Sequence, residues 1–202
     1  GELAEYLALV HDVGKGCCAW QVGLLQRAEP EGKPVGIPHK EAGARLAAKY
    51  AGLPFAAAVQ GHHGGPPDQQ KIKDVLTALQ GSGPDAEAAR EATRRVAGLV
   101  PEIVRTGPVV LPPWVSALRG AAARTEVDLL VRMVFSCLVD ADFLDTSAHF
   151  DGCVAPRLAP ARDMALLSQR FEERRAAFLA KRPASPVDES RGRVFAEVVA
   201  AA

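Results

Sequence analysis

The chain has 202 residues, 48% of them hydrophobic and 24% charged, and its 24 Lys and Arg balance 24 Asp and Glu. That composition suits one soluble globular domain, or one domain with a tail. No apolar run approaches the roughly 18–20 residues that cross a bilayer, the start at Gly1 lacks the positive segment of a secretory signal, and zero net charge excludes a protein that grips nucleic acid by bulk electrostatics alone. A cytoplasmic monomer without membrane partners is expected. The start at Gly1, without Met, reads as a piece of a longer protein.

Helical periodicity dominates, and alternating period-2 segments are scarce, so the expected fold class is all-α. A first helix over 3–13 is expected to end sharply at Gly14, and a second to run from Cys17 to Ala28. Residues 29–38 read as loop from their Pro and Gly content. His39 opens a third helix that ends near Gly52, and Pro54 starts a fourth that Gly64-Gly65-Pro66-Pro67 stops. Helices over 69–80 and 84–99 follow, then an irregular, proline-interrupted stretch over 101–113. The whole of 64–115 reads as an insertion or mobile surface. Long helices are expected over 125–145 and 160–182, and a last one over Glu189–Ala202 beyond the Pro183 and Pro186 breaks. Cys17 and Cys18 are adjacent, and Cys137 and Cys153 sit in unrelated contexts, so reduced thiols are expected and not a disulfide framework.

The strongest chemical signal is Leu9-Val10-His11-Asp12-Val13-Gly14-Lys15. Imidazole beside carboxylate suits a divalent metal, and one carboxylate can give an oxygen to each of two ions. Lys15 puts an ammonium where a phosphate can sit. Gly61-His62-His63-Gly64-Gly65 sets a histidine pair at a helix end, among residues of little bulk. His39 stands at a helix start. Four of the five histidines thus fall at helix ends; His149, past the long helix, reads as a surface residue without a role.

A late carboxylate completes such a set, and Asp140, Asp142 and Asp145 are available. Val127, Val131, Val134, Leu138 and Ala141 form a core stripe. At about 100° per residue, Asp142 lies roughly 40° from Leu138, at the edge of that stripe, and Asp140 about 160° away. Asp145 returns near the stripe at the helix end. A carboxylate at the rim of a buried face is costly unless paired or metal-bound. Asp142 is therefore the expected ligand, with Asp140 free to pair with Arg132 or Arg119.

These residues resemble the HD superfamily and, more closely, the HD nuclease domain of the CRISPR-associated nuclease-helicase of type I interference systems. His11-Asp12-Val13-Gly14-Lys15 followed by Trp20-Gln21, then His39, then His62-His63-Gly64-Gly65, follow that family's order. Ser136-Cys137-Leu138-Val139-Asp140-Ala141-Asp142-Phe143-Leu144-Asp145-Thr146 is similar to its late signature. The resemblance covers about residues 3–150. It implies an HD-type helical bundle with a central site for one or two divalent transition ions, of which Mn, Fe, Co and Ni are the expected kinds. It implies cleavage of single-stranded DNA, with a helicase in cis or in trans and an RNA-guided surveillance complex as partners. By resemblance, Asp12 would bridge the ions, His11 and Asp142 would bind one, and His39, His62 and His63 the other, with Lys15 on the scissile phosphate. Residues 1–183 would then be the nuclease domain and 184–202 a connector towards a helicase. The family pattern also has a histidine upstream of the His-Asp doublet. None of the ten residues before His11 is His, so that residue either precedes Gly1 or leaves one ion short of a ligand. Two other readings stay open: an HD phosphohydrolase acting on nucleotides or cyclic dinucleotides, and a catalytically incomplete docking domain.

Overall fold

The computed structural model describes residues 1–26, 35–118, 120, 123–150, 152, 163–181, 183 and 185–201. Every regular element among them is a helix. The chain divides into two compact units, Gly1–Pro156 and Arg157–Ala202, a boundary that falls inside the expected 1–183 domain.

In the first unit, α1 (Glu2–Val10) has Glu2 and Glu5 in its first turn, where the helix dipole favours negative charge. It buries Tyr6, Leu7 and Val10. The helix ends at Val10, and a 3-10 turn, Val13–Gly16, follows before α2 (Cys18–Gln26). Arg27 and Ala28, expected as the end of that second helix, lie outside the described residues. α3 (Lys40–Tyr50) and α4 (Leu53–Gly61) meet at Gly52, whose φ of 107° is a conformation that favours glycine. α4 is apolar nearly all round and buries Phe55 to Val59, which makes it the central helix. α3 packs along α4, α1 packs on α3, and α8 (Arg124–Phe150) covers α1 and α4.

The segment 64–115, expected as an insertion or mobile surface, contributes residues to the core. α5 (Gln69–Ala78) is capped by Asp68, whose carboxylate accepts from the Lys71 amide at 2.8 Å, and it buries Ile72. α6 (Pro84–Ala97) packs on α3 and the 3-10 turn through Ala86, Ala89 and Ala92. Ile103 and Val109 are core residues too, and the chain between them is tied down. The Tyr6 hydroxyl donates to the Ile103 carbonyl at 3.0 Å, Arg105 pairs with Glu2, and the Val109 amide donates to the Tyr50 carbonyl at 2.7 Å. Burying each side chain of the size of Leu7, Ile72 or Ile103 is worth roughly 1.5–3 kcal/mol. The short α7 (Pro113–Ala117) leaves Trp114 exposed and buries Val115.

On α8, Val131 and Leu138 are buried, Val134 is partly so, and Ala141 is exposed. The expected stripe therefore needs correcting: its centre lies on Val131 and Leu138. That rotates the buried face by about 30°, carrying Ala141 out and bringing Asp142 in. Arg132 pairs with Asp128 at 2.7 Å, not with Asp140, and Arg119 lies outside the described residues. α8 also extends to Phe150, so His149 is helical. It is exposed and meets only the Phe150 ring among the described contacts. Cys17 is a core residue, Cys18 and Cys137 are exposed free thiols, and Cys153 is outside the described residues.

The second unit contains α9 (Met164–Lys181) and α10 (Asp188–Ala201). Phe171 and Phe195 stack with centroids 6.0 Å apart, and the Arg175 guanidinium lies 3.8 Å above Phe195.

Candidate metal centre

Helix ends bring the polar residues together. His11 is the C-cap of α1 and Asp12 follows it, His39 is the N-cap of α3, and His62 is the C-cap of α4. Two glycines allow these ends to meet. A Cβ on Gly14 would lie 1.7 Å from the His39 carbonyl oxygen, and one on Gly43 would lie 2.3 Å from that of Val10. Gly14 was expected to end the first helix, but α1 stops four residues earlier. Gly14 instead lets the turn carrying Asp12 touch the backbone of His39. Gly43, in the middle of a helix, carried no sequence signal at all.

Asp12 is the hub. Its Oδ1 lies 3.5 Å from His39 Nε2 and 3.5 Å from His62 Nε2, and its Oδ2 lies 3.4 Å from His11 Nε2 and 2.5 Å from Lys15 Nζ. His63 Nε2 is 3.1 Å from His39 Nε2, and Asp142 Oδ1 is 3.6 Å from His11 Nε2. Two groups result, each of which can hold a metal ion: Asp12 with His39, His62 and His63, and Asp12 with His11 and Asp142. Asp12 belongs to both. Asp140 is exposed and Asp145 is exposed, so neither joins them.

The donor atoms suit an ion. His11 Nδ1 lies 2.7 Å from the Ala8 carbonyl and His62 Nδ1 lies 2.7 Å from that of Val59. A carbonyl only accepts, so each Nδ1 carries the proton, which turns the Nε2 lone pair of the neutral ring to the site. His11 Nε2, His62 Nε2 and Asp12 Oδ1 are buried without a hydrogen-bond partner. Buried polar atoms rarely stay unsatisfied, and such orphans call for an ion or ligand. Metal–ligand bonds of about 2.1 Å put neighbouring donors about 3.0 Å apart in an octahedron and about 3.4 Å apart in a tetrahedron. The separations of 3.1–3.6 Å lie within that range or about 0.2 Å beyond it.

Electrostatics also favour a cation. Burial alone would raise the Asp12 carboxyl, but the adjacent His11, His62 and Lys15 side chains outweigh it and hold Asp12 well below the usual carboxylate range. Burial opposes charge on His11, yet Asp12, the Ala8 carbonyl and Asp142 together raise its pKa above the ordinary value. Burial, with Lys15 and the neighbouring imidazoles, lowers His39 to about 4, against the pull of Asp12. Burial and the same neighbours lower His63. The site thus has a carboxylate held ionised, with charge disfavoured on His39 and His63 and favoured on His11.

Around this centre, Lys15 Nζ is 5.7 Å from the Trp20 ring centroid, and Trp20 meets His39 edge-on at 6.2 Å. Gln60 Nε2 donates to Glu41 Oε1 at 3.4 Å, a link between α3 and α4 that the sequence did not suggest. The Cys18 amide donates to Glu91 at 3.1 Å and Arg95 meets its sulfur, which fixes the start of α2 on α6.

A family model described as Cas3, HD domain, matches residues 1–132. The chain belongs to the Cas3 HD family. Membership makes it a CRISPR-associated nuclease domain in kind, and the all-α bundle around a His and Asp cluster agrees with an HD fold. The Cas3 HD match ends before Asp142, whose position beside His11 is a finding of geometry alone. Neither a curated protein nor a solved structure matches the chain. No described helix is long and apolar enough to cross a membrane.

Proposed function

We propose that this chain is the metal-dependent nuclease part of a larger machine, cutting single-stranded DNA that a helicase domain, in cis or in trans, delivers after an RNA-guided surveillance complex has opened the duplex. The observation that carries this reading is the two-sided Asp12, with one oxygen towards His39 and His62 and the other towards His11. In this reading residues 1–183 are the nuclease domain and 184–202 lead to the helicase.

Asp12, His39, His62 and His63 would hold one divalent transition ion, and His11, Asp12 and Asp142 a second, with Mn, Fe, Co or Ni the suitable kinds. Bound ions would supply Lewis-acid activation of a phosphodiester and of water, and would neutralise charge developing on phosphoryl oxygens. The protein's own contribution is positional. The Ala8 and Val59 carbonyls keep the His11 and His62 rings in one tautomer and orientation. Asp12 stays ionised throughout the physiological range. Lys15, with its side chain one-third exposed at 34%, can bring its ammonium to a phosphate oxygen. No side-chain nucleophile is required. Zero net charge makes DNA binding by this part weak, so processive cutting depends on the helicase.

The test is degradation of circular single-stranded DNA by chain stripped of metal and reloaded separately with Mn, Co, Ni or Mg, with Asp12→Ala as comparison. Cutting with a transition ion, lost in a variant whose circular dichroism is unchanged, is expected. Cutting by Asp12→Ala, or turnover of mononucleotides with DNA left intact, would overturn the proposal.

A further inference from the structure

The two faces of Asp12 are not equivalent. Its Oδ1 face meets three imidazoles and is an unpartnered buried atom, whereas its Oδ2 is already paired with the Lys15 ammonium at 2.5 Å. On that second face the protein offers only His11, Asp12 and Asp142 among the described residues.

We propose that Lys15 acts as a resident rival for the second ion, so that the two positions load in order: the Oδ1 face first, and the Oδ2 face only when the ammonium leaves Asp12. This inference rests on the metal-dependent reading above.

Three observations carry it. The first is simple charge. One divalent ion neutralises Asp12 and Asp142 together, and Lys15 then leaves the cluster at a net charge of about +1 with neutral imidazoles. A second ion entering beside Lys15 meets a site that is already positive. The second is that the backbone of Lys15 is held while its side chain is one-third exposed. The Lys15 amide donates to the Asp12 carbonyl at 2.9 Å, and Gln21 Nε2 donates to the Lys15 carbonyl at 2.7 Å. The third is that a resting place lies nearby, since the Trp20 ring centroid is 5.7 Å from Nζ, within cation–π range.

An arriving phosphodiester changes the balance. Its negative charge draws the ammonium outward and offsets the excess positive charge, which frees Oδ2 for the second ion. By linkage, the second ion then raises affinity for the phosphodiester by the same factor. Lys15 thereby ties completion of the centre to the presence of substrate.

The experiment titrates the metal-stripped chain with Co(II), read by its visible absorption, and with Mn(II) by equilibrium dialysis. The native chain should bind one equivalent tightly and a second at least tenfold more weakly. Lys15→Met should tighten the second step tenfold or more and leave the first within threefold. Lys15→Arg, which keeps the charge, should restore two separated steps. Lys15→Gln serves if the Met variant proves unstable. Two equal steps in the native chain, or a second step unmoved in the neutral variants, overturns the inference while leaving the nuclease reading intact if DNA cutting still depends on Asp12. Binding of no ion at all overturns both.

Discussion

Replacing Gly14 with Ala tests how the centre is assembled. An added Cβ would lie 1.7 Å from the His39 carbonyl oxygen, 2.5 Å from its carbonyl carbon and 2.7 Å from its Cα. All three are backbone atoms, so no side chain can swing aside. An ordinary contact begins near 3.4 Å, so the two segments must separate by about 1.7 Å. Overpacking of this kind costs roughly 1–3 kcal/mol, and the upper end applies here because the backbone itself must move. The conformational gain of Gly→Ala returns only about 0.4–1 kcal/mol. A net loss of about 2 kcal/mol corresponds to a fall in Tm of roughly 4–8 °C for a domain of this size. The effect on the site is larger. Movement along the Asp12–His39 line stretches their 3.5 Å separation to about 5 Å, beyond the ~4.2 Å that two 2.1 Å bonds can span. Thermal unfolding in chelator, followed by Co(II) titration, measures both effects. Gly107→Ala is the control, because nothing lies within 4 Å of a Cβ there. If Gly14→Ala melts like the native chain and binds the ion as tightly, the close contact of the turn with His39 is not what builds the centre.

Asp142→Asn should weaken the second ion's binding by tenfold or more, whereas Asp140→Asn, on an exposed carboxylate, should change it less than twofold; metal titration reads both. Ile72, 1% exposed, should cost about 2–5 kcal/mol when cut to Ala, measured by denaturant unfolding, because it is a core residue of α5. The metal-free chain should lose stability in acid through His39. Its folded pKa, about 4, lies below the ordinary 6.5, so the unfolded state takes up a proton first. The loss begins as pH falls below 6.5 and is complete near 4, and its ceiling is about 3 kcal/mol. His11 runs the other way: its raised folded pKa adds stability below 6.5 that disappears as pH rises through the folded value. Urea unfolding in chelator at pH 7 and 4.5 should show a smaller acid loss for His39→Gln than for the native chain.

The helices were legible because their periods and their Pro and Gly punctuation are strong, and α3 to α6 begin within two residues of their expected starts. The histidine positions were legible because the doublets are contiguous in sequence. What sequence could not supply was contact between segments. Ala86, Ala89 and Ala92 form a buried face with so little apolar bulk that α6 reads as surface. Gly43 is a weak helix former whose value lies in the Val10 carbonyl opposite it. The α8 stripe was found, but its phase depends on where α4 lies, and a rotation of about 30° decides between Ala141 and Asp142. Lys15 was read as pointing to a phosphate. That its ammonium also meets Asp12 Oδ2 depends on how the turn closes, which the sequence does not show.

His11 and His62 each tie back to a carbonyl three residues earlier, in the last turn of the helix that carries them. Both carbonyls belong to the last four of their helices, where amide partners run out; that of Val59 also accepts from the His62 amide at 3.4 Å, and each imidazole adds a side-chain tie to its own helix end. Terminal turns are ordinarily the first parts of a helix to open in hydrogen exchange. Holding both rings from the far side therefore couples ion occupancy to the fraying of α1 and α4, and the amides near residues 8–11 and 59–62 become a solvent-exchange record of whether the centre is filled.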